Sequence, residues 1–349
     1  MLHSQTNQDQ VRMAVIGLSH DHVHWILGKL ESQEIKVIGI VEANKALAKR
    51  YSDQYGYPMA MVYDSMEALI AAAKPEAVAA FGPIDEHLEV VETFAPLGIH
   101  VMVEKPLAVS LEHAKKMEAL AKTHKIHLIT NYETTWYASN HKAHKMIQNG
   151  VVGDLRKVVV HDGHKGPSEI GVSKEFLSWL TDPDRNGGGA LTDFGCYGVN
   201  LITWLNGGER PESVTAITQT MKPDVYPKVD DEATIILRYP KLQGIVQASW
   251  NWPISRKDME VYGVSGYVIC ENRTDIKYRL SERTLEAQES LKERQYPYND
   301  PFAFFAAVVN GEITLAPYDL SSLENNMIVM EVLEAAKESA ATGKTIKLK

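Results

Sequence analysis

Short apolar runs and amphipathic helical segments alternate through the first 131 residues, and this alternation limits the possible folds more than any other feature. The apolar runs predict strands at residues 13–17, 36–41, 77–81, 100–103 and 127–131. Strands that are apolar throughout and alternate with helices are typical of parallel sheets, because a parallel pair needs a crossover connection that covers the sheet. The first third of the chain therefore predicts an α/β fold with a doubly wound parallel sheet.

Polar residues predict where a helix of this first region begins. Asp64 and Ser65 precede an apolar segment at residues 66–73, and Glu67 follows Asp64 by three positions, which is the pattern of a capping box. A further helix is predicted from about residue 85 to residue 97. Such helices cover the two faces of the sheet.

The pattern changes after residue 131, where alternating or β-branched runs predict strands at 155–162, 213–221, 233–239, 244–252, 258–264, 267–271 and 276–280. Short turns separate the later runs, which predicts an antiparallel meander. Helices are predicted at 141–149, 301–310 and 320–341. We therefore predict two domains, residues 11–131 and 132–349, with the final helix free to pack back on the first. No proline- or glycine-rich linker divides them, so we expect a shared interface, where small-molecule clefts commonly form.

The charge balance and the cysteine content exclude several classes of protein. The chain has 45 acidic against 36 basic residues, and this net charge of −9 argues against nucleic-acid or membrane-surface partners, which are themselves anionic. No apolar run is long enough for a membrane span, and the polar residues 1–10 predict no signal peptide. Cys196 and Cys270 are too few for a disulfide framework. We expect a soluble, cytoplasmic protein.

The loop after the first predicted strand is a candidate dinucleotide site. Gly17, Ser19 and His22 occupy the three positions where the dinucleotide fingerprint has glycine, so only Gly17 fits it. Backbone amides at the start of a helix suit a pyrophosphate, and the Ser19 hydroxyl could bond a phosphate. Glu42 ends the second strand, where a carboxylate can accept both ribose hydroxyls of NAD and repel the 2′-phosphate of NADP. A solvated carboxylate is the alternative interpretation of Glu42.

Histidines in the same loop raise the question of a metal. His20, Asp21, His22 and His24 alternate in a way that suits a strand, but they lie at the start of a helix, where residues two apart do not share a face. The sequence has no HExxH motif or cysteine partner for them. We expect no metal here, place His20 near the cofactor, and interpret His24 as an ordinary helix residue.

Two further motifs carry chemistry. Glu104-Lys105-Pro106 follows an apolar strand directly, and residues 187–197 read Gly-Gly-Gly-Ala-Leu-Thr-Asp-Phe-Gly-Cys-Tyr. With His87 and the segments 150–153 and 229–233, they make nearly the whole chain resemble the glucose–fructose oxidoreductase/inositol dehydrogenase (Gfo/Idh/MocA) family of nicotinamide-dependent sugar and polyol dehydrogenases. The resemblance implies an N-terminal Rossmann domain and a C-terminal α/β domain on a large open, mainly antiparallel sheet. It also implies a homodimer or homotetramer formed through that sheet.

The resemblance implies catalytic roles for Lys105, Asp193 and Tyr197. Lys105 matches the family lysine that reaches the nicotinamide and the reacting hydroxyl. Tyr197 stands where the commoner family pattern has histidine; tyrosine marks a smaller set that includes glucose–fructose oxidoreductase-like and dihydrodiol dehydrogenase-like members. A phenol titrates near pH 10 and needs a neighbouring cation, which Lys105 could supply, while Asp193 would orient the substrate or the lysine. If the segment is helical, Asp193 and Tyr197 share a face. A core tyrosine is the alternative for Tyr197.

The remaining candidates surround this centre. The cofactor-binding residues that we expect are Gly17, Ser19, His20, Glu42, Pro83, His87, Glu104 and Lys105. Asn131 ends the last strand of the first domain and is expected to face the cleft. Trp136 and Trp179 are candidate substrate walls, because aromatic faces suit the C–H surfaces of sugars. Cys196 is interpreted as packing, and His161 and His164 either reach the cleft or decorate the sheet.

Our leading hypothesis is an NAD-dependent oxidoreductase that acts on a secondary alcohol of a sugar, polyol or related cyclic compound. Two alternatives stay open. One is a redox-assisted glycoside hydrolase, in which held NAD transiently oxidises a sugar hydroxyl. The other is a non-catalytic NAD(P)-binding sensor or interaction protein, favoured by the two missing loop glycines and the histidine-rich loop.

Overall fold

The computed structural model describes residues 10–348, and these residues form two sheets, one of six strands and one of nine. The predicted absence of a signal peptide concerns a segment that lies, apart from Gln10, outside the described residues. Within residues 10–348, no helix has both the length and the apolar character needed to cross a bilayer. Cys196 and Cys270 are both buried and unpaired.

The six-stranded sheet is parallel throughout, in the order β3-β2-β1-β4-β5-β6, which confirms the predicted doubly wound fold. Its strands are β1 Val11–Ile16, β2 Ile35–Val41, β3 Val62–Tyr63, β4 Ala77–Ala80, β5 His100–Glu104 and β6 Leu128–Asn131. The chain builds outwards from β1 to β3 and then returns to add β4 on the other side of β1. The loops after β1 and β4 therefore face each other across a topological switch point, where such sheets bind ligands.

Helices cover both faces of this sheet: α1 Val23–Leu27, α2 Lys45–Tyr55, α3 Met66–Ala72, α4 His87–Phe94 and α5 Leu111–His124. The start of α3 corrects the predicted capping box, because Ser65 and not Asp64 accepts the backbone N–H of Ala68, at 3.2 Å. The helix predicted over residues 85–97 is shorter, since single 3-10 turns lie on either side of α4.

The nine-stranded sheet has the order β14-β13-β12-β11-β7-β10-β9-β8-β15. Its strands are β7 Leu155–Gly163, β8 Ser213–Gln219, β9 Glu232–Arg238, β10 Gln243–Ser249, β11 Arg256–Gly263, β12 Tyr267–Cys270, β13 Asp275–Arg279, β14 Ala287–Ser290 and β15 Ile346–Lys347. Most pairs are antiparallel, as predicted, but β7 pairs with β10 in parallel. The simple meander is therefore wrong at the centre, because β7 lies between two antiparallel groups. The short outer strands β14 and β15 were not predicted.

The helices of the second half are α6 Ala138–Gln148, α7 Pro167–Ile170, α8 Lys174–Leu180, α9 Pro183–Asn186, α10 Ala190–Asp193, α11 Gly195–Leu205, α12 Pro301–Val309 and α13 Leu323–Thr342. Two of them extend over the first sheet. The ring of Phe302 in α12 lies 6.2 Å from that of Phe81, and Thr130 in β6 donates its N–H to the carbonyl of Ser321, at 3.1 Å. These two contacts hold segments of the second half of the chain against the first sheet. They lie close to the edge where the strands β1, β4 and β5 end.

Candidate active site

A groove at the switch point brings together four of the predicted cofactor residues: Gly17, Ser19, Glu42 and Pro83. We call it the dinucleotide groove, and its volume is about 480 Å³. Gly17 has a φ of +78°, and a Cβ built on it would lie 2.7 Å from the backbone nitrogen of Gly82. Only glycine allows the loops after β1 and β4 to approach so closely. Gly17, which fits the dinucleotide fingerprint, is therefore also required by the close approach of the two loops.

Glu42 holds two loops at the edge of this groove. One of its carboxylate oxygens accepts the N–H of Leu18 at 2.9 Å, and the other accepts that of Asn44 at 2.7 Å. Burial raises the pKa of Glu42 above its usual value, against these two hydrogen bonds. The carboxylate retains further lone pairs on both oxygens, so it can also accept hydroxyl groups from a ribose in the groove.

Helix α8 of the second half covers the loop after β1. Trp179 donates its indole N–H to the Ser19 hydroxyl at 3.0 Å, and the ring of Phe176 lies 4.4 Å from that of His20. Trp179 also lines the dinucleotide groove. Helix α8 thus places Trp179 beside the loop after β1, and its role as a substrate wall stays a prediction.

His20, His22 and Glu104 form a buried polar cluster beneath that helix. Their ligand atoms lie within 4.8 Å of one another, close enough to hold a cation. The Nδ1 of His20, however, accepts the backbone N–H of His22 at 3.1 Å, so its Nε2 carries the proton. A cation on Nε2 would require an imidazolate; in this structure that nitrogen lies 3.9 Å from a carboxylate oxygen of Glu104, and it has no hydrogen-bond partner among the described residues. Although burial opposes ionisation, His22 and His20 lower the pKa of Glu104 to about 2.

Asn131 and Trp136 support this cluster and do not line the dinucleotide groove. Asn131 donates its side-chain N–H to Glu104 at 2.7 Å and accepts the indole N–H of Trp136 at 3.1 Å. The Trp136 ring packs edge-on against Phe304, with centroids 5.4 Å apart. Their polar atoms are thus used inside the protein, and the substrate roles of Asn131 and Trp136 stay predictions.

His87 supports the segment that carries the predicted catalytic lysine. It is buried, and its Nδ1 donates to the carbonyl of Leu107 at 3.1 Å. Burial lowers the pKa of His87 to about 4, so the ring is neutral at neutral pH. It is not among the residues that line the dinucleotide groove.

Lys105 and Asp193 form an ion pair that joins the two halves of the chain. Both are buried, Lys105 being only 5% exposed, and Lys105 also donates to the backbone carbonyl of Asp193 at 3.3 Å. The second carboxylate oxygen accepts the indole N–H of Trp250 at 3.0 Å. Burial opposes both charges, but each partner outweighs it: the pKa of Lys105 is raised and that of Asp193 is lowered. The pair is therefore ionised.

Tyr197 stands beside this pair, with Lys105 and the unpredicted Lys257 near its ring. The two ammonium groups lie 5.4 and 4.7 Å from the ring centroid. Asp193 ends α10 and Tyr197 belongs to α11, so the single helix that would have aligned them is interrupted at Phe194. The structure nevertheless brings all three predicted catalytic residues together.

The electrostatics of Tyr197 differ from the prediction. Burial raises the pKa of its phenol well above the usual value, and Asp162 and Glu133 raise it further. Lys105 is paired with Asp193, and the pKa of Tyr197 stays above its usual value despite the nearby ammonium group. Tyr197 is therefore protonated at neutral pH.

Sequence reasoning missed three residues around this phenol: Asp162, Lys257 and Glu133. Lys257 forms an ion pair with Glu133, and Lys257 in β11 lies opposite Asp162 in β7. The alternation along residues 155–162 was the only indication in the sequence, because it assigns Asp162 to one face of the strand. It does not reveal that this strand pairs with β11, which brings Lys257 next to Asp162. His164 lies on the same side as Asp162, with its ring 4.9 Å from that of Phe194.

The opposite face of β7 carries the other histidine singled out from the sequence. His161 Nδ1 lies 3.0 Å from a carboxylate oxygen of Asp258, which Arg256 also contacts through two hydrogen bonds. His161 therefore lies on the outer face of the sheet, opposite to the face that carries Asp162. Cys196 is buried and donates its thiol to the carbonyl of Asp193 at 3.2 Å, which agrees with a packing role.

Comparisons with known proteins agree with this architecture. Residues 11–132 match the model of an oxidoreductase family with an NAD-binding Rossmann fold, and residues 140–269 match the GFO/IDH/MocA C-terminal domain. Among curated proteins, the chain is similar to trans-1,2-dihydrobenzene-1,2-diol dehydrogenase from Oryctolagus cuniculus, with 27% identity over 69% of this chain and 68% of that protein. The enzyme of the same name from Bos taurus is 26% identical over 72% and 69%.

Solved structures share the fold along its whole length. An inositol dehydrogenase homolog from Azotobacter vinelandii, complexed with NAD+, has a TM-score of 0.85 at 18% identity and covers 100% of both chains. Aldose-aldose oxidoreductase from Caulobacter crescentus, complexed with glycerol, has a TM-score of 0.83 at 23% identity, over 97% of this chain and 100% of that one. With the two family models matched in sequence order, this chain belongs to the GFO/IDH/MocA family of NAD-binding oxidoreductases.

Proposed function

We propose that the protein transfers a hydride between NAD and a secondary alcohol of a sugar, polyol or related cyclic diol. The observation that carries this proposal is the buried Lys105–Asp193 ion pair beside Tyr197, at the edge where the dinucleotide groove lies. Relatives whose names specify a dihydrodiol, an aldose or an inositol as substrate support a CH–OH substrate here. A non-catalytic NAD(P)-binding sensor would not need a buried ion pair beside a buried tyrosine.

The groove suits NAD, because Gly17 gives the close loop approach, Ser19 supplies a hydroxyl and Glu42 can accept the ribose hydroxyls. When bound, NAD supplies the hydride acceptor or donor at the substrate carbon. Lys105 donates to the oxygen on that carbon and fixes its orientation. Tyr197 exchanges the proton of that oxygen through its phenol group.

The raised pKa of Tyr197 makes the two directions of the reaction depend differently on pH. The phenol, which is the form present at neutral pH, can donate to the oxygen of a carbonyl that is being reduced, whereas alcohol oxidation needs the phenolate, which forms at higher pH. Because Lys105 and Tyr197 are both buried, water is excluded from the reacting oxygen, and this strengthens the bonds made to it.

We also propose a homodimer or homotetramer that forms through the open face of the large sheet, and a cytoplasmic location. Ile217 and Ile236 lie on that face and are 67% and 38% exposed, which supports a covered surface in an oligomer. The buried, unpaired Cys196 and Cys270 are consistent with a reducing compartment.

The substrate class is tested with purified protein, NAD+ and a panel of sugars, inositols and cyclic diols, following NADH absorbance. We expect NADH formation with at least one polyol, and Lys105→Met should lower kcat by about 10³-fold while NAD+ binding persists. Lys115→Met, an exposed lysine on α5, is the control. NAD+ binding without turnover of any panel member would contradict the proposal. Glycoside cleavage without net NADH would instead identify the redox-assisted hydrolase.

The pH dependence follows from the raised pKa of Tyr197. Alcohol oxidation needs the phenolate, whose fraction rises tenfold per pH unit below the pKa, so kcat/KM for oxidation should still be rising at about pH 10. Carbonyl reduction uses the phenol and should be flat through neutral pH. Tyr197→Phe should remove both dependences, and Tyr63→Phe is the control. A plateau of the oxidation rate below about pH 8 would mean that another group is the base.

Cofactor choice tests the role of Glu42. We expect wild-type protein to bind NAD+ more tightly than NADP+, because the 2′-phosphate would face the Glu42 carboxylate. Glu42→Gln removes the charge and should narrow this difference by about tenfold in titration calorimetry. Glu67→Gln makes the same change of charge elsewhere in the groove and is the control. A wild-type preference for NADP+ would show that Glu42 does not select the cofactor.

A further inference from the structure

One buried carboxyl group has no role in the proposed proton transfer. Asp162 lies next to the end of β7 and is 1% exposed, and among the described residues neither of its carboxylate oxygens has a hydrogen-bond partner. Folded proteins pair their buried polar groups, because an unpaired one loses its bonds to water without replacement. Such an exception is expected where a ligand supplies the missing partner.

The position of Asp162 places it in the active site. Asp162 in β7 and Lys257 in β11 are opposite each other in antiparallel register, so their side chains share one face of the sheet. Lys257 in turn lies 4.7 Å from the ring centroid of Tyr197. His164, two residues further on and on the same face, touches Phe194 at the start of α11. Asp162 therefore shares a face of the sheet with Lys257, whose ammonium lies against the ring of Tyr197.

The surrounding charges leave Asp162 without a counter-ion of its own. Lys105 is paired with Asp193, and Lys257 is paired with Glu133. Burial raises the pKa of Asp162 well above its usual value, and Lys257 only partly opposes this. Both oxygens of Asp162 are therefore free to bond with a ligand group that can donate or accept a hydrogen bond.

We propose that Asp162, with the ammonium of Lys257, is the binding site for the hydroxyl next to the one that reacts, and that the enzyme selects vicinal diols. This rests on the proposed function, because Tyr197 and Lys105 hold the reacting hydroxyl. A hydroxyl matches the site, since it can donate to a carboxyl oxygen of Asp162 and accept from the ammonium of Lys257. A substrate carboxylate fits less well, because Glu133 already pairs with Lys257.

The first test compares two substrates. They are the most active polyol of the panel and its analogue that lacks the hydroxyl next to the oxidised carbon. We expect Asp162→Leu to lower kcat/KM for the polyol by about 100-fold and to change that for the analogue by less than about threefold. Asp162→Asn keeps a donor and an acceptor and should retain most of the selectivity. Equal losses for both substrates in Asp162→Leu would overturn the proposal.

The second test needs no turnover and is therefore independent of the proposed function. Because Asp162 is unpaired in the free protein, Asp162→Leu should leave the urea midpoint of unfolding unchanged or raise it. Asp258→Leu, on the outer face of the same sheet, removes a carboxylate that His161 and Arg256 contact, and it should lower the midpoint. If Asp162→Leu lowers the midpoint as much as Asp258→Leu does, Asp162 is a structural residue and the proposal fails. If no compound of the panel is oxidised but the urea midpoint falls only in Asp258→Leu, the proposed function fails and Asp162 remains a ligand-binding residue.

Discussion

The Lys105–Asp193 ion pair is the interaction on which the rest of the site depends. Lys105 follows β5 of the parallel sheet and Asp193 ends α10 above the mixed sheet, so the pair fixes one half of the chain against the other. Two buried charges lose their hydration, and breaking such a pair by removing one partner costs about 3–5 kcal/mol, because the other charge is left uncompensated. Trp250 secures the carboxylate by donating to its second oxygen. The geometry around Tyr197 follows from this anchor.

The pairing of charges also decides which groups can move protons. Each of the two lysines near Tyr197 has its own carboxylate, Asp193 for Lys105 and Glu133 for Lys257. The two acids that remain, Tyr197 and Asp162, have no ion-pair partner of their own, and burial raises the pKa of both. A centre of this kind suits neutral, hydroxylated substrates, because it can donate and accept hydrogen bonds without adding net charge.

Local patterns predicted the parallel sheet, and the family resemblance singled out Lys105, Asp193 and Tyr197, whereas contacts between distant segments were not predictable. Glu104-Lys105-Pro106 after a strand and the run that ends in Tyr197 are contiguous motifs, so the sequence identifies them directly. Lys257 and Asp162 come together only through the register of β7 with β11, which alternation does not determine. The roles of Trp136 and Trp179 depended on which helix or turn carried each indole, and nothing local encodes that.

A double-mutant cycle on Lys105 and Asp193 tests the central claim that the pair acts as one unit. The rate of NADH formation in a single turnover is measured for Lys105→Met, Asp193→Asn and the double variant, with circular dichroism to show that each is folded. If the pair is one unit, the double variant is no slower than the slower single variant, because the second change removes an interaction that is already lost. Losses that multiply would show that the two residues act independently and would contradict the account.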